Sequence, residues 1–183
     1  MKLHIGCGKR FLPGFKHVDI ENYPHIDFQI PMHDLSLIED SSVSEIYSSH
    51  AFEYYDREFA KVVLLEWFRV LKPEGCLYLT VPNFEALIEI YASTKNLKTI
   101  LGPLFGQWHN PNLGETIYHK TVYDKKDLKN SLLDVGFRTA VEFDPVRYLM
   151  AVSPKYDDYS LAYFPHMDPS GIQVSIAIKA TKP

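Results

Sequence analysis

Leu3-His4-Ile5-Gly6-Cys7-Gly8, followed a short way on by His17-Val18-Asp19-Ile20, is the stretch on which the fold reading turns. A brief apolar run ends in a Gly-x-Gly turn, and a second apolar run carries an acidic residue at its end. Glycines after a strand let the backbone turn sharply, and they let a ligand approach main-chain N–H and C=O groups with no Cβ in the way. A carboxylate at the tip of the next strand can accept both hydroxyls of a ribose. In an open parallel sheet, ligands bind beyond the carboxyl ends of the strands, where the winding direction reverses. The predicted strand ends are therefore the places where chemistry is expected.

Working outward, Ile26 to Ile30 reads as a third strand and Val43 to Ser48 as a fourth, entered through the turn-forming Asp40-Ser41-Ser42. A helix follows, capped by Asp56, with Phe59, Val63, Trp67 and Val70 at helical spacing and Leu64, Phe68 and Leu71 widening the stripe. Lys72-Pro73-Glu74-Gly75 stops it, because proline cannot continue the hydrogen-bond ladder. Cys76 to Val81 is largely apolar, as a strand covered on both faces would be. Asn83 is positioned to cap the next helix, which carries Phe84, Leu87, Ile88 and Tyr91 on one face. From 95 to 121 the periodicity fails, and a long loop with short helical pieces is expected. Asp124 starts a helix through Leu128, Leu132 and Leu133, closed by Gly136. A strand near Thr139 to Phe143, an irregular stretch around 145–170, and a last strand from Ile172 to Ala180 complete the chain. Strands alternating with helices imply one α/β domain spanning 1–183 with a mainly parallel sheet. The last two strands lack an obvious crossover helix, so the final one is expected to run antiparallel.

Composition narrows the function classes. With 46% hydrophobic and 23% charged residues, the 183-residue chain reads as one globular domain. Nineteen basic against twenty-three acidic residues give a net charge of −4. No basic run is long enough for a phosphate-binding stripe, which disfavours bulk nucleic-acid binding. The first residues show no apolar signal segment, and the most apolar helix is interrupted by Lys61, Glu66 and Arg69, so neither secretion nor a membrane span is expected. Cys7 and Cys76 form no CxxC pair, and the eight histidines show no HxH or HxxxH spacing. A disulfide framework and a metal site are therefore not expected, and the cytoplasm is the expected compartment.

A nicotinamide-dependent oxidoreductase is the nearest alternative for the glycine turn. The dinucleotide fingerprint needs a third glycine at position 11, where Phe11 stands, and a helix whose N-terminus holds a pyrophosphate. Lys9 to Gly14 is too short and broken for that helix, so a ligand without a pyrophosphate fits better.

Taken with Phe15 to Ile20, Ser49-His50-Ala51-Phe52-Glu53, Trp67 to Gly75, Val81-Pro82-Asn83-Phe84 and Ala162 to Asp168, the opening stretch resembles the class I S-adenosylmethionine-dependent methyltransferases, in particular a short bacterial group. The resemblance covers nearly the whole chain and is vaguest over 95–121. It implies a Rossmann-like seven-stranded sheet, mostly parallel with the last strand antiparallel, and helices on both faces. By position it implies that Gly6, Cys7 and Gly8 border the methionine moiety of the cofactor. Asp19, followed by Ile20, would hold its ribose, Asp34 and Leu35 would flank its adenine, and Ser49 and His50 would close the pocket near its amino group. The chain departs from the group in two ways. The first helix is reduced to a loop, and Tyr54 stands where a second histidine often follows the glutamate.

The activity implied is methyl transfer to a small acceptor, with the acceptor and the oligomeric state left open. A hydroxyl acceptor would need a general base, for which His50 is the leading candidate, the other reading being a packing or cofactor-backbone role. Glu53 could serve as an acid–base group or as a helix cap. Tyr118, His119, Tyr163 and His166, with Trp108, are candidates for the acceptor wall. A cofactor-binding regulatory module without transferase activity is the remaining alternative.

Overall fold

The computed structural model describes residues 1–110, 114–156, 159–165, 168 and 170–183, without the side chains of residues 110 and 160. Four strands come first, β1 (Lys2–Ile5), β2 (Lys16–Asp19), β3 (Phe28–Gln29) and β4 (Val43–Ser49). Helix α1 (Arg57–Val70) leads into the long β5 (Leu71–Pro82), and α2 (Phe84–Thr94) and α3 (Lys98–Phe105) follow. A ribbon of β6 (Trp108–Asn110) and β7 (Glu115–Ile117) precedes α4 (Lys125–Val135) and β8 (Thr139–Glu142). Then come α5 (Pro145–Val152), β9 (Tyr163–Phe164), β10 (Ile172–Gln173) and β11 (Ser175–Thr181).

Seven strands form one sheet in the order β3-β2-β1-β4-β5-β11-β8. β3, β2, β1, β4 and β5 pair in parallel, whereas β11 is antiparallel to both β5 and β8. This is the expected mixed sheet, with the winding reversing between β1 and β4.

Two-residue alternation divides the sheet into unlike faces. Leu3, Ile5, Val18, Ile46, Leu77, Leu79, Val81, Ile176 and Ile178 form one aliphatic core with Val63, Leu64 and Trp67 of α1 and Leu128 and Leu132 of α4. Burying each such side chain fully is worth roughly 1.5–3 kcal/mol. The intervening residues make the opposite face aromatic and polar. There Tyr47 packs with Leu12, Phe15 and Leu149 of α5, joined by Tyr78 and Tyr148, and His4 and His17 are buried beside them. Helices thus cover both faces, α1 and α4 the first and α5 the second.

No helix separates β1 from β2. The loop is held by the Leu12 N–H, which donates to Nε2 of buried His17 at 2.9 Å. Burial keeps the His17 pKa below its ordinary value, so the ring is neutral and that nitrogen is free to accept.

Four expectations shift, one of them in the stretch 145–170, expected to be irregular, where Pro145–Val152 forms α5 behind the side-chain cap of Asp144. The third strand contracts to Phe28–Gln29 because Ile26 bonds back to the Tyr23 carbonyl in a turn, while the Asp27 carboxylate takes the His17 N–H and the Lys16 ammonium. The last strand splits at Val174, whose N–H goes to Ala162 and whose carbonyl accepts from Asn83. Ile172–Gln173 accordingly pairs with β9 and only Ser175–Thr181 joins the sheet. The stretch 95–121 holds a regular helix and a two-stranded ribbon in place of a loop with fragments. After α1, moreover, the left-handed residue is Glu74 and not Gly75. A Cβ on Gly75 would lie 2.8 Å from the Lys72 carbonyl oxygen, which is why glycine is needed there.

Candidate functional site

A cavity of about 840 Å³ opens beyond the carboxyl ends of β1, β2 and β4, the place where an open parallel sheet binds its ligands. That size falls among ordinary small-molecule sites, roughly 300–1,000 Å³. Gly6, Cys7, Gly8, Asp19, Ile20, Ser49 and His50 all line it. Gly6 and Gly8 both take positive φ, +65° and +53°, which opens the turn after β1. A Cβ on Gly6 would fall 2.5 Å from that of Ala51, so only glycine fits between the tips of β1 and β4. A Cβ on Gly8 would meet no protein atom within 4 Å, which leaves open space along its backbone.

Asp34 and Leu35 lie outside the cavity. The Leu35 N–H donates to Glu66 Oε1 at 2.8 Å and its carbonyl accepts from Arg69 at 2.9 Å, so α1 draws the side chain into the aliphatic core, where it is fully buried. Asp34 turns outward and its carboxylate accepts the Ser36 N–H. Met32 lines the cavity instead, its carbonyl anchored by Trp67 Nε1 at 2.8 Å.

On the acceptor side, Trp108 lines the cavity, whereas Tyr118, His119 and Tyr163 do not. Tyr118, just past β7, is half exposed, Tyr163 is taken up in pairing with β10, and His166 lies outside the described residues. Sequence reasoning also passed over Glu21, Tyr54, Lys120, Lys155, Tyr156 and Tyr159, which do line it. Glu21, two residues past Asp19, could have been found from its place at the same strand tip. Ser153, Lys155, Tyr156 and Tyr159 carried no such signal, because only the path of α5 across the second face delivers them.

Asp19 is held firmly. Its Oδ2 accepts the Gly8 N–H at 2.7 Å and its Oδ1 accepts the Glu21 N–H at 2.9 Å. One carboxylate thus ties the glycine turn to the β2 tip, and the remaining lone pairs of each oxygen can still accept. Glu21 is buried, and burial followed by the nearby Asp19 charge raises its carboxyl above the usual range. Cys7 is buried as well. Desolvation, then Asp19, pushes its thiol far up, so it is no nucleophile.

His50, left-handed at φ +51°, presents its ring to buried protein groups through both nitrogens. The Ser175 hydroxyl donates its one proton to the Tyr159 carbonyl at 3.0 Å. His50 Nε2, 2.8 Å from the same hydroxyl oxygen, must therefore be the donor there. His50 Nδ1 then faces Glu53 Oε1 at 3.4 Å. Glu53 is fully buried and neither of its oxygens has a hydrogen-bond partner among the described residues. A bare carboxylate is costly in that setting, and the imidazole ring of His50 is one of the polar groups that face it. His119 closes the cluster from the other side. Its Nδ1 donates to the Pro103 carbonyl at 3.2 Å and its Nε2 lies 3.6 Å from Glu53 Oε1. Burial lowers the His119 pKa, so the ring is neutral and points a lone pair at Glu53. Glu53 does not cap α1, which is capped by the Asp56 side chain.

Among the described residues no group of three His, Cys, Asp or Glu is placed to hold a metal ion, and no helix is long and apolar enough to cross a membrane. A second cavity of about 150 Å³ lies between α1 and α4, beside Arg57 and Tyr123, away from the strand tips.

No protein-family model and no curated protein matches the chain. Solved structures do. An S-adenosylmethionine-dependent methyltransferase of Archaeoglobus fulgidus is 18% identical over 99% of this chain and 85% of its own, with a TM-score of 0.53. One from Methanosarcina mazei is 17% identical over 99% and 91%, at 0.54. The 1,6-didemethyltoxoflavin-N1-methyltransferase of Burkholderia thailandensis, solved with S-adenosylhomocysteine and 1,6-didemethyltoxoflavin bound, is 12% identical over 99% and 70%, at 0.56. By strand order and by these likenesses, the chain has the Rossmann-like fold of the class I S-adenosylmethionine-dependent methyltransferases.

Proposed function

We propose that this chain binds S-adenosylmethionine and transfers its methyl group to a small-molecule acceptor. One observation carries the reading. The Gly6–Gly8 turn and the Asp19 carboxylate stand at adjacent parallel strand tips and line one cavity. Gly6 and Gly8 would leave room beside the backbone for the methionine moiety, Asp19 would accept the ribose hydroxyls, and Ser49 would close the amino end. The adenine wall falls to Met32, with Ile20 beside it, and not to Asp34 or Leu35. Methyltransferases of the same fold, one with S-adenosylhomocysteine bound, support that choice of cofactor.

When bound, the cofactor supplies a methyl group on a sulfonium sulfur, and the protein's part is to align the acceptor and exclude water. Tyr54, Trp108 and Tyr159 wall the cavity and would serve both ends. If the acceptor is a hydroxyl, His50 would serve as its base in the tautomer that carries the proton on Nδ1, so that Nε2, turned from Ser175 to the acceptor, has a lone pair to take the proton. Glu53 would then hold the other ring nitrogen in place. The cytoplasm is the proposed compartment.

Titration with S-adenosylhomocysteine tests the reading. At 100 times its dissociation constant a ligand stabilises by about 2.7 kcal/mol, a rise in Tm of roughly 5–10 °C for a chain of this size. Asp19→Ala should abolish most of that rise, and NAD should give none. With radiolabelled S-adenosylmethionine, label should pass to a small acceptor. A rise with NAD and none with S-adenosylhomocysteine would sink the reading in favour of an oxidoreductase. Cofactor binding with no acceptor labelled in any class would leave a binding module.

A further inference from the structure

We infer that His17 is a positioning residue for the cofactor site. Its ring stands in for the missing first helix, holding the loop after β1 through the Leu12 N–H, and the loop is let go when the ring takes up a proton. This rests on the cofactor reading above.

A helix after β1 would fix the glycine turn through its own backbone ladder. None forms between Ile5 and Lys16, yet Gly6, Cys7, Gly8, Lys9, Arg10 and Phe11 all line the cavity. Side chains from beyond the loop hold it instead. Asp19 takes the Gly8 N–H, and His25 Nε2 donates to the Gly8 carbonyl at 3.1 Å. At the far end Leu12 is fully buried with Phe15, Tyr47 and Leu149, and its N–H goes to His17 Nε2 at 2.9 Å. Phe11 lies stacked on the same imidazole, with ring centroids 4.9 Å apart. One ring thus braces the last residue of the cavity wall and the apolar anchor next to it.

That brace depends on a lone pair. Nε2 accepts only in the neutral ring whose proton is on Nδ1, and Nδ1 faces Asp27 Oδ2 at 3.5 Å. A proton on Nε2 would set two donors against each other, the ring and the buried Leu12 N–H. The surroundings keep the ring neutral. His17 is 1% exposed, and burial is the largest influence on it. His25 of the following loop, 5.1 Å away between centroids, and Lys16 on the same strand also oppose a charge, whereas Asp27 favours one. His4 of β1 meets the ring edge-on at 5.6 Å. The balance lies below the ordinary 6.5. Release of the loop would return the ring to water and to that ordinary value, so acid below about pH 6.5 favours release. Lys9, Arg10 and Phe11 would then leave the cavity wall. One proton taken up on release weakens cofactor binding by at most about tenfold for each unit of pH.

The test titrates the full chain with S-adenosylhomocysteine by calorimetry at about pH 7.5 and about pH 5, in wild type and in His17→Gln. The glutamine amide oxygen can accept the Leu12 N–H but does not titrate. Wild-type affinity should fall fivefold or more on acidification. The variant should bind within threefold of wild type at the higher pH and lose no more than twofold at the lower. His25, His50, Asp19 and Glu21 are common to both proteins, so the difference between them isolates His17. A wild-type fall under fivefold, a variant more than threefold weaker at the higher pH, or one that loses more than twofold in acid overturns the inference and leaves the cofactor reading standing. If the variant does not fold, the Leu12 amide of the ligand-free wild type decides, observed in a proton–nitrogen correlation spectrum. Its proton resonance should move upfield over the same pH interval as the hydrogen bond is lost, and an unmoved resonance overturns the inference. Wild type that binds no S-adenosylhomocysteine at the higher pH overturns the cofactor reading, and this inference with it.

Discussion

Gly106→Ala should unfold the chain's hold on the ribbon, and its cost can be worked from the geometry. Gly106 ends α3 at φ +54°, and a Cβ there would lie 2.2 Å from His119 Nε2, 2.5 Å from Cδ2 and 2.8 Å from Cε1. With ψ at 176°, that backbone is open essentially to glycine alone and costs an alanine about 1–3 kcal/mol. The ring cannot yield cheaply. It is buried, its Nδ1 holds the Pro103 carbonyl, its backbone N–H holds Phe105 at 2.6 Å, and it stands edge-on to Tyr54 at 4.8 Å. Displacing it forfeits a hydrogen bond worth about 1 kcal/mol and an aromatic contact worth roughly 0.5–1.5 kcal/mol. The total is about 2.5–5.5 kcal/mol, read as a lowered urea midpoint at constant slope. In a His119→Ala background the clash is gone, so Gly106→Ala should cost only the backbone share, giving a coupling of about 2 kcal/mol in the double-mutant cycle. Additive losses, with the glycine substitution equally costly whether or not His119 is present, would refute the steric argument.

Three further outcomes follow from other contacts. Glu66 accepts from Arg69 and from the Leu35 N–H, and the Arg69 hydrogen bond holds its carboxyl below the usual range. A folded-state pKa below the unfolded one contributes stability that is present above about pH 4.5 and lost as pH falls through the folded value. The stability gap between wild type and Glu66→Gln should accordingly close as pH falls below about 4.5; a gap independent of pH would show that the pairing carries no charge term. The Lys182 ammonium donates to the carbonyls of Phe68 and Leu71, both at 2.7 Å, at the end of α1. Lys182→Met keeps the stem and deletes the donors, so it should cost roughly 1.5–3 kcal/mol by denaturant titration, and a change under about 0.5 kcal/mol would mean water replaces it. Asp19→Ala, beyond its effect on cofactor affinity, leaves the Gly8 and Glu21 N–H groups without their acceptor. It should lower the stability of the ligand-free chain by about 1–3 kcal/mol, and an unchanged melting curve would show that the turn does not depend on that carboxylate.

What the sequence determined by itself was whatever is encoded by near neighbours along the chain. The apolar runs Leu3–Ile5 and Cys76–Val81 mark two strands of the sheet. Helical spacing from Phe59 to Val70, begun by Asp56, sets α1; the last strand is antiparallel as expected, although a helix, α5, does stand before it. Gly6, Gly8 and Asp19 were legible because a glycine turn and an acidic strand tip act within a few residues of themselves. Tertiary structure decided the rest. Leu35 leaves the cavity because Glu66 and Arg69, a full helix away in sequence, claim its backbone. His50, Glu53 and His119 meet only because α3 and the ribbon bring residue 119 back against the β4 tip. Lys120 and Lys155 reach one cavity from opposite sides of α4 in the chain. The physical reason is common to all three cases. Periodicity and turn chemistry fix the backbone locally, whereas the direction a loop takes depends on which buried polar groups elsewhere need its hydrogen bonds, and a linear pattern does not carry that pairing.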